Sequence, residues 1–213
     1  MARQTQDINA FIETLADHFD GAAPLPFPLW RVSPWIVGAV LYFAAALFWI
    51  GLRPDFAVAA QNPVFLFDLL LPFVLSVSAA LCSAWLCIPD MRGAIWMSAV
   101  PLGLLGAFCL WIGTRIFLEG FSPDLHAHPC TYASLPVVAL PVAALVFLMR
   151  RGAGTRPLTM ATMNVLAVGG MGWIVLRLIC ANDSMGHLCL HHFLPYLLLG
   201  ICAGGIARRL YRW

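Results

Sequence analysis

Thiol and imidazole side chains recur in two separated stretches of the sequence. His126, His128 and Cys130 form the first stretch, and Cys180 precedes the second, which reads Met185-Gly-His-Leu-Cys-Leu-His-His. A thiolate is a strong nucleophile and oxidises to a disulfide when a second thiol is near. Thiolates and imidazoles are also the ligands that soft and borderline metal ions prefer. The two stretches therefore indicate redox or metal chemistry.

The second stretch predicts a metal site on the first turns of a helix. His187 and His191 are four residues apart, so that they share one face of an α-helix. Cys189 points elsewhere on a regular helix and would join them as a ligand only if the first turn were irregular. The alternative is that both histidines are solvated or hydrogen-bonded to loops, and the sequence leaves the two interpretations open.

Motifs of enzyme catalysis are absent from the sequence. It contains no glycine-rich phosphate loop, no His-Glu-x-x-His, no nucleophile elbow and no Cys-x-x-Cys. No internal repeat is evident, and no predicted span carries the several polar residues of a transport pathway. We therefore expect a protein that is not an enzyme and that requires no cofactor.

Composition places the chain in a membrane. Of its 213 residues 62% are hydrophobic and only 10% are charged, whereas a soluble protein carries about 25% charged residues. So little charge cannot coat a surface that faces water, which excludes a soluble enzyme. The net charge of +2 provides no large basic face, which excludes direct binding of nucleic acid.

Six apolar stretches are long enough to cross a bilayer as helices, which takes about 20 residues each. They are predicted at residues 35–52, 63–88, 93–112, 132–149, 158–176 and 187–207. The expected fold class is an all-α membrane protein, a bundle of six transmembrane helices. Residues 1–33 form a cytoplasmic N-terminal helix and a Pro-rich tether, residues 34–207 the transmembrane domain, and residues 208–213 a cytoplasmic Arg-rich tail.

The positions of the arginines predict the orientation. All twelve basic residues are Arg, and only Arg53, Arg115 and Arg177 fall on the side opposite the two termini. The positive-inside rule then places both termini in the cytoplasm, with the spans in a bacterial inner membrane. Cys130 and Cys180 face the oxidising external side, where they are candidates for a disulfide. A purely structural bridge and two unpaired thiols are the alternatives.

One carboxylate lies well inside a predicted span. An ionisable side chain is costly within a bilayer, so Asp68 needs a partner, which the sequence predicts to be Arg115 or the external histidines. A structural tie between helices is the favoured interpretation, and a functional intramembrane polar site is the alternative.

The N-terminus predicts a short amphipathic helix. Its apolar residues recur at helical spacing, and they are Ile8, Phe11, Ile12, Leu15 and Phe19. Its polar side is acidic and includes Asp7, Glu13 and Asp17. An anionic leaflet would repel these acids, whereas the groove of a protein partner with a basic rim would fit both sides of the helix. The alternative is that the helix folds back on the protein's own loops.

The ordered set of these features resembles the NrsF-like membrane proteins, six-span anti-sigma factors named for a negative regulator of sigma F. The resemblance covers essentially the whole chain. It depends on residues 5–16 with the Pro-rich tether and Arg31, on Phe65-Leu-Phe-Asp68, on Cys130 and Cys180 in their loops, and on His187 and His191 before the last span. Ala181 departs from the pattern, because many members have proline there, and Cys189 is an additional thiol.

The resemblance implies an anti-sigma factor that holds an extracytoplasmic-function sigma factor at the inner membrane. It implies that the N-terminal segment binds sigma and that Cys130 and Cys180 sense metal or oxidative stress. Cu, Cd or Zn would then bind as the signal and not as a required cofactor. The alternative function is a membrane redox or metal-binding protein, with or without haem, that uses the external His/Cys cluster. Homodimerisation is left open.

Overall fold

The computed structural model describes residues 2–17, 26–88, 94–123, 125–126, 128–150, 152 and 154–211. In chain order its helices are α1 (Ala2–Asp17), α2 (Pro28–Ile50), α3 (Phe56–Ala59), α4 (Pro63–Trp85), α5 (Ile95–Glu119), α6 (Pro129–Arg150), α7 (Pro157–Ile179), α8 (Met185–His187), a π-helix (Leu188–Phe193) and α9 (Leu194–Leu210). These residues include no β-strand. The predicted all-α fold class is confirmed.

Six helical segments in the described part of the chain are long and apolar enough to cross a membrane. They are Pro28–Ile50, Pro63–Trp85, Trp96–Glu119, Pro129–Arg150, Pro157–Ile179 and Met185–Leu210. The six predicted spans are thus confirmed as helices that suit a multi-pass membrane protein. The third ends at Glu119 and not at residue 112, because Arg115 and Glu119 form an ion pair one turn apart and the helix continues through them.

The first span begins before its predicted start. Pro28 occupies the first turn of α2, where its missing N–H removes no helical hydrogen bond. Pro34 lies inside the helix and leaves the Trp30 carbonyl without its usual donor, and the Ser33 hydroxyl lies 3.5 Å from that oxygen. The helix therefore includes part of the segment that the sequence assigned to the Pro-rich tether.

α7 is the most buried of the six spans and packs closely against α4 and α9. A Cβ atom on Gly170 would lie 2.7 Å from the Pro72 carbonyl oxygen of α4. A Cβ atom on Gly172 would overlap the hydroxyl oxygen of Tyr196 in α9. Small residues allow helix backbones to approach in a bilayer, where close packing drives association. The two glycines therefore fix α7 at the centre of the bundle.

Buried polar contacts hold α7 along its length. Near its start the side chain of Asn164 bonds the hydroxyl of Ser83 in α4 and donates to the hydroxyl of Tyr211 after α9. One turn further, the Ser76 hydroxyl of α4 donates to the Ala167 carbonyl. These contacts join α7 to α4 and to the end of the chain that the sequence places in the cytoplasm.

Connections at the other end of the bundle lie against one another. We call this end, formed by residues 51–62, 120–123, 125–126, 128 and 180–184, the predicted external end. The backbone N–H of Arg53 donates to the Leu178 carbonyl over 2.9 Å. Gly186 approaches the 120–123 segment so closely that a Cβ atom would overlap the Ser122 carbonyl oxygen. Both loop cysteines of the sequence lie at this end.

α1 exposes the apolar stripe that the sequence predicts. The side chains of Ile8, Phe11, Ile12 and Leu15 are each more than half exposed. Glu13 and Asp17 are exposed on the same helix. Phe19 lies outside the described residues, as does the side chain of Asp7. Four apolar side chains on one short helix thus remain available for a partner.

Candidate functional site

Four buried side chains converge at the predicted external end. They are the thiols of Cys130 and Cys180 and the imidazoles of His187 and His192, and one sulfur or nitrogen atom from each lies within 4.8 Å of all the others. Cys180 Sγ lies 3.3 Å from His187 Nε2. Both histidine side chains are fully buried. We call these four residues the Cys/His cluster.

Three separate parts of the chain supply the cluster. Cys130 lies in the first turn of α6, and Cys180 directly follows α7. His187 and His192 belong to the last span, on either side of the start of the π-helix. The turns of a π-helix are wider than those of an α-helix, because its hydrogen bonds join residues five positions apart. Its segment separates His187 from His192, and a ring nitrogen of each lies near the two thiols.

The two thiols of the cluster are free and lie close to each other. The structure contains no disulfide between them. A hydrogen bond from the Cys130 thiol lowers the pKa of Cys180 well below the usual value of a cysteine, and it outweighs the opposing effect of burial. The thiolate is the form that attacks an oxidant and binds a metal. The hydrogen bond between the two thiols therefore favours a thiolate at Cys180.

Other predicted ligands lie beside the cluster and not in it. The His191 Nδ1 atom bonds the Thr131 hydroxyl, and its ring centre lies 4.6 Å from that of His187. Cys189 packs against a separate apolar group that includes Trp173. The sequence missed His192, because an α-helical face pairs His187 with the residue four positions later. The only signal for His192 in the sequence is that a second histidine directly follows His191.

Asp68 lies fully buried in α4, and its carboxylate contacts three donor side chains. Arg115 Nη1 lies 2.7 Å from Oδ2, and Arg177 Nη2 lies 3.1 Å from the same oxygen. Trp111 Nε1 donates to the other carboxylate oxygen over 2.7 Å. Arg115 is one of the partners expected from the sequence, and Arg177 is a second one. The carboxylate thus ties α4 to α5 and α7.

The ion pairs continue from Asp68 toward the surface of the predicted external end. Arg177 also pairs with Asp183, and Asp183 Oδ2 lies 2.9 Å from Arg53 Nη2. Arg53 Nε lies 2.7 Å from Asp55 Oδ1. Burial alone would raise the pKa of Asp183, but the hydrogen bonds from Arg53 and Arg177 lower it to about 2.

This network of ion pairs includes each arginine on the predicted external side. Arg53, Arg115 and Arg177 are the three arginines on the predicted external side, and all three are buried and paired with carboxylates. Carboxylates of the folded protein therefore balance the charges of all three arginines.

Comparison with known proteins identifies the family. A family model described as NrsF, negative regulator of sigma F, matches residues 15–213. The match includes all six spans and the four residues of the Cys/His cluster, and it begins near the end of α1. No curated protein and no solved structure matches the chain. Because the match covers nearly the whole chain, the protein belongs to the NrsF family of negative regulators of sigma F.

Proposed function

We propose that the protein is a membrane-bound anti-sigma factor that holds an extracytoplasmic-function sigma factor at the bacterial inner membrane. It releases that factor when an external metal or oxidant changes the state of Cys130 and Cys180. Membership of a family of negative regulators of a sigma factor supports the anti-sigma part. The observation that carries the sensing part is the meeting of two free thiols from different helices in one buried cluster.

The proposed sigma-binding element is α1. Its exposed side chains of Ile8, Phe11, Ile12 and Leu15 form an apolar stripe, and an amphipathic helix binds a protein partner by laying such a stripe into a groove. Glu13 and Asp17 would face a basic rim on the sigma factor and favour its association. The predicted cytoplasmic location of the N-terminus gives sigma access to this helix.

The proposed signal is a change in the covalent or coordination state of the two thiols. Oxidation joins the two sulfur atoms and removes two electrons and two protons, which hydrogen peroxide accepts to give two water molecules and an organic peroxide accepts to give an alcohol and water. A metal ion would instead displace the thiol protons and bind both sulfurs. Either event fixes the start of α6 to the end of α7, because Cys130 and Cys180 lie at those two positions.

α7 is the proposed route from the sensing end to the cytoplasmic end. At the first end it is adjacent to Cys180 and bonded to Asp68 through Arg177. At the other end its Asn164 contacts the Tyr211 hydroxyl, close to the C-terminus. A signal can shift such a helix only by its difference in free energy between two conformations. A disulfide contributes about 2–4 kcal/mol, which would move the bound fraction of sigma substantially.

Co-purification tests the proposed function directly. The full-length protein and a tagged sigma factor should be recovered together, as a complex, from membranes of unstressed cells. Peroxide or a thiol-binding metal should then separate the membrane protein from the immobilised sigma factor. A visible absorption spectrum of the purified membrane protein reports haem, the mark of the alternative redox function. A preparation with haem and without sigma would contradict the proposal.

A further inference from the structure

We infer that Cys130, Cys180, His187 and His192 form a closed, four-coordinate site for a d10 metal ion, namely Cu(I), Zn(II) or Cd(II). The inference deepens the proposed function, on whose sensing role for the two cysteines it rests. It adds a ligand set with two imidazoles, of which His192 is not evident from the sequence. It also names the chemical class of the signal.

The distances within the cluster suit such a site. A tetrahedral site has metal–ligand distances of about 2.0–2.3 Å, which place its ligand atoms about 3.3–3.8 Å apart. Cys180 Sγ and His187 Nε2 are already 3.3 Å apart, and all four ligand atoms lie within 4.8 Å of one another. Small rotations of the side chains would therefore bring the four atoms around one ion.

Unsatisfied nitrogen atoms provide an independent observation that points to a ligand. His192 is fully buried, and among the described residues its only nearby polar partner is the Cys180 thiol, with which neither Nδ1 nor Nε2 forms a hydrogen bond of good geometry. Nδ1 of the fully buried His187 has no partner among these residues. A buried polar group without a partner costs free energy, so folded proteins keep few of them. A metal ion bound by His192 would satisfy one of these nitrogens and explain why an imidazole is buried there.

The donor set selects the class of metal. Two thiolates with two imidazoles match structural zinc sites, and thiolates also favour Cu(I) and Cd(II) over hard ions such as Mg(II) or Ca(II). Four protein ligands leave no open position for a substrate, so the bound ion would act on conformation and not on catalysis. The ion would join α6, α7 and the last span, because each supplies at least one ligand.

The structure also separates this site from the one that helical spacing suggests. His191 bonds the Thr131 hydroxyl, and its ring lies beside that of His187 without belonging to the cluster. Because His191 adjoins the cluster and is buried like His192, it is a matched control. A site built on α-helical spacing would require His191, whereas the site inferred here requires His192.

Metal titration of the full-length, reduced protein in detergent tests the inference. Co(II) serves as the probe of geometry, and Cu(I) is titrated in competition with bathocuproine disulfonate. We expect one equivalent of Co(II) to give the intense visible bands of a tetrahedral ion and a thiolate charge-transfer band. His192→Ala and the near-isosteric His192→Gln should each weaken Cu(I) binding by at least about tenfold, since even indirect partners of a metal change affinity this much. His191→Gln should bind as the wild type does.

Each outcome has a defined meaning. The four-ligand site would be overturned if both His192 variants bound metal with wild-type affinity, or if binding required His191. It would also be overturned if the wild-type protein bound neither Co(II) nor Cu(I) at about one equivalent. The thermal unfolding midpoint of the metal-free His192→Gln protein shows whether the variant is folded. Release of sigma is measured separately with peroxide, which needs only the cysteines. Tight metal binding without any release would leave the site intact and contradict the proposed function instead.

Discussion

Arg177 and Asp68 form an ion pair in the interior of the bundle. Arg177 Nη2 lies 3.1 Å from Asp68 Oδ2, and both side chains are almost completely buried. The same carboxylate oxygen lies 2.7 Å from Arg115 Nη1. Arg177 also pairs with Asp183 in the connection that begins with Cys180. Ion pairs of Arg177 therefore fix the end of α7, and Cys180 of the Cys/His cluster directly follows it.

Replacing Asp68 with Asn should destabilise the folded protein strongly. The substitution keeps the shape of the side chain but leaves Arg115 and Arg177 buried beside an uncharged group, and loss of one partner of a buried pair costs about 3–5 kcal/mol. The thermal unfolding midpoint in detergent measures the effect. Asp55→Asn is the control, because that side chain is 48% exposed, so that solvent screens its pair with Arg53 and the midpoint should change little. Equal midpoints for the two variants would refute the structural role of Asp68.

The predicted external end should lose stability in acid. Burial acts to raise the pKa of Asp183, but hydrogen bonds from Arg53 and Arg177 outweigh it and lower the pKa from 3.8 to about 2. A carboxyl group with a lowered pKa stabilises the folded state above its unfolded pKa, and it loses this contribution as the pH falls through the folded pKa. The unfolding midpoint should therefore fall between pH 4 and pH 2. The unfolding midpoint of the Asp183→Asn variant should fall less steeply over this interval. Identical slopes for the variant and the wild type would contradict the role of Asp183 in the acid response.

The fold was predictable from the sequence because its main features are local. A run of about 20 apolar residues defines a span whatever it packs against. The bounds of the helices were less predictable: charged residues usually end an apolar span, but Arg115 and Glu119 lie within α5, where they pair with each other and Arg115 also pairs with Asp68. Pro28 likewise begins α2 within a stretch whose proline content suggested an extended tether.

The candidate site was predictable in part. Cys130 and Cys180 stood out as thiols at the ends of spans on the same side of the membrane, and the structure brings them together. His192 was not selected, because it lies in a π-helix, and the spacing argument assumes the narrower turns of an α-helix. Helical spacing instead pointed to His191, which bonds Thr131.

Cysteine labelling should test the orientation. Leu125 is 83% exposed in the connection between α5 and α6, so Leu125→Cys gives a reactive thiol at the predicted external end. A membrane-impermeant maleimide should label this variant in intact spheroplasts. Thr155→Cys, in the connection between α6 and α7, should be labelled only after the membrane is permeabilised. The reverse pattern would invert the topology and remove the cysteines from the oxidising side.

Charge on the stripe of α1 should abolish sigma binding. Phe11 and Leu15 are 65% and 55% exposed on one face, so replacing both with Asp changes the stripe without disturbing any packed core. We expect the Phe11→Asp, Leu15→Asp protein to insert into the membrane normally, to lose the sigma factor in pull-down, and to leave sigma-dependent transcription constitutively active. Thr14→Asp, on the same helix but off the stripe, is the matched control and should retain binding. Wild-type recovery of sigma by the double variant would exclude α1 as the binding element.

The two cysteines of the cluster should behave as one unit. Each contributes one sulfur to the same disulfide or the same metal ion, so Cys130→Ser, Cys180→Ser and the double variant should share one unresponsive phenotype, with non-additive effects. A transcriptional reporter of the sigma factor measures the response to peroxide, Cu and Cd. Cys202→Ser is the control, because that thiol lies on an exposed face of α9 away from the cluster and should leave the response unchanged.

His192→Gln separates the two signals. The response to peroxide should persist, since the two sulfur atoms can still join, while the response to metal should shift to higher metal concentrations. A graded response to all three agents in the double cysteine variant would show that sensing resides elsewhere in the protein.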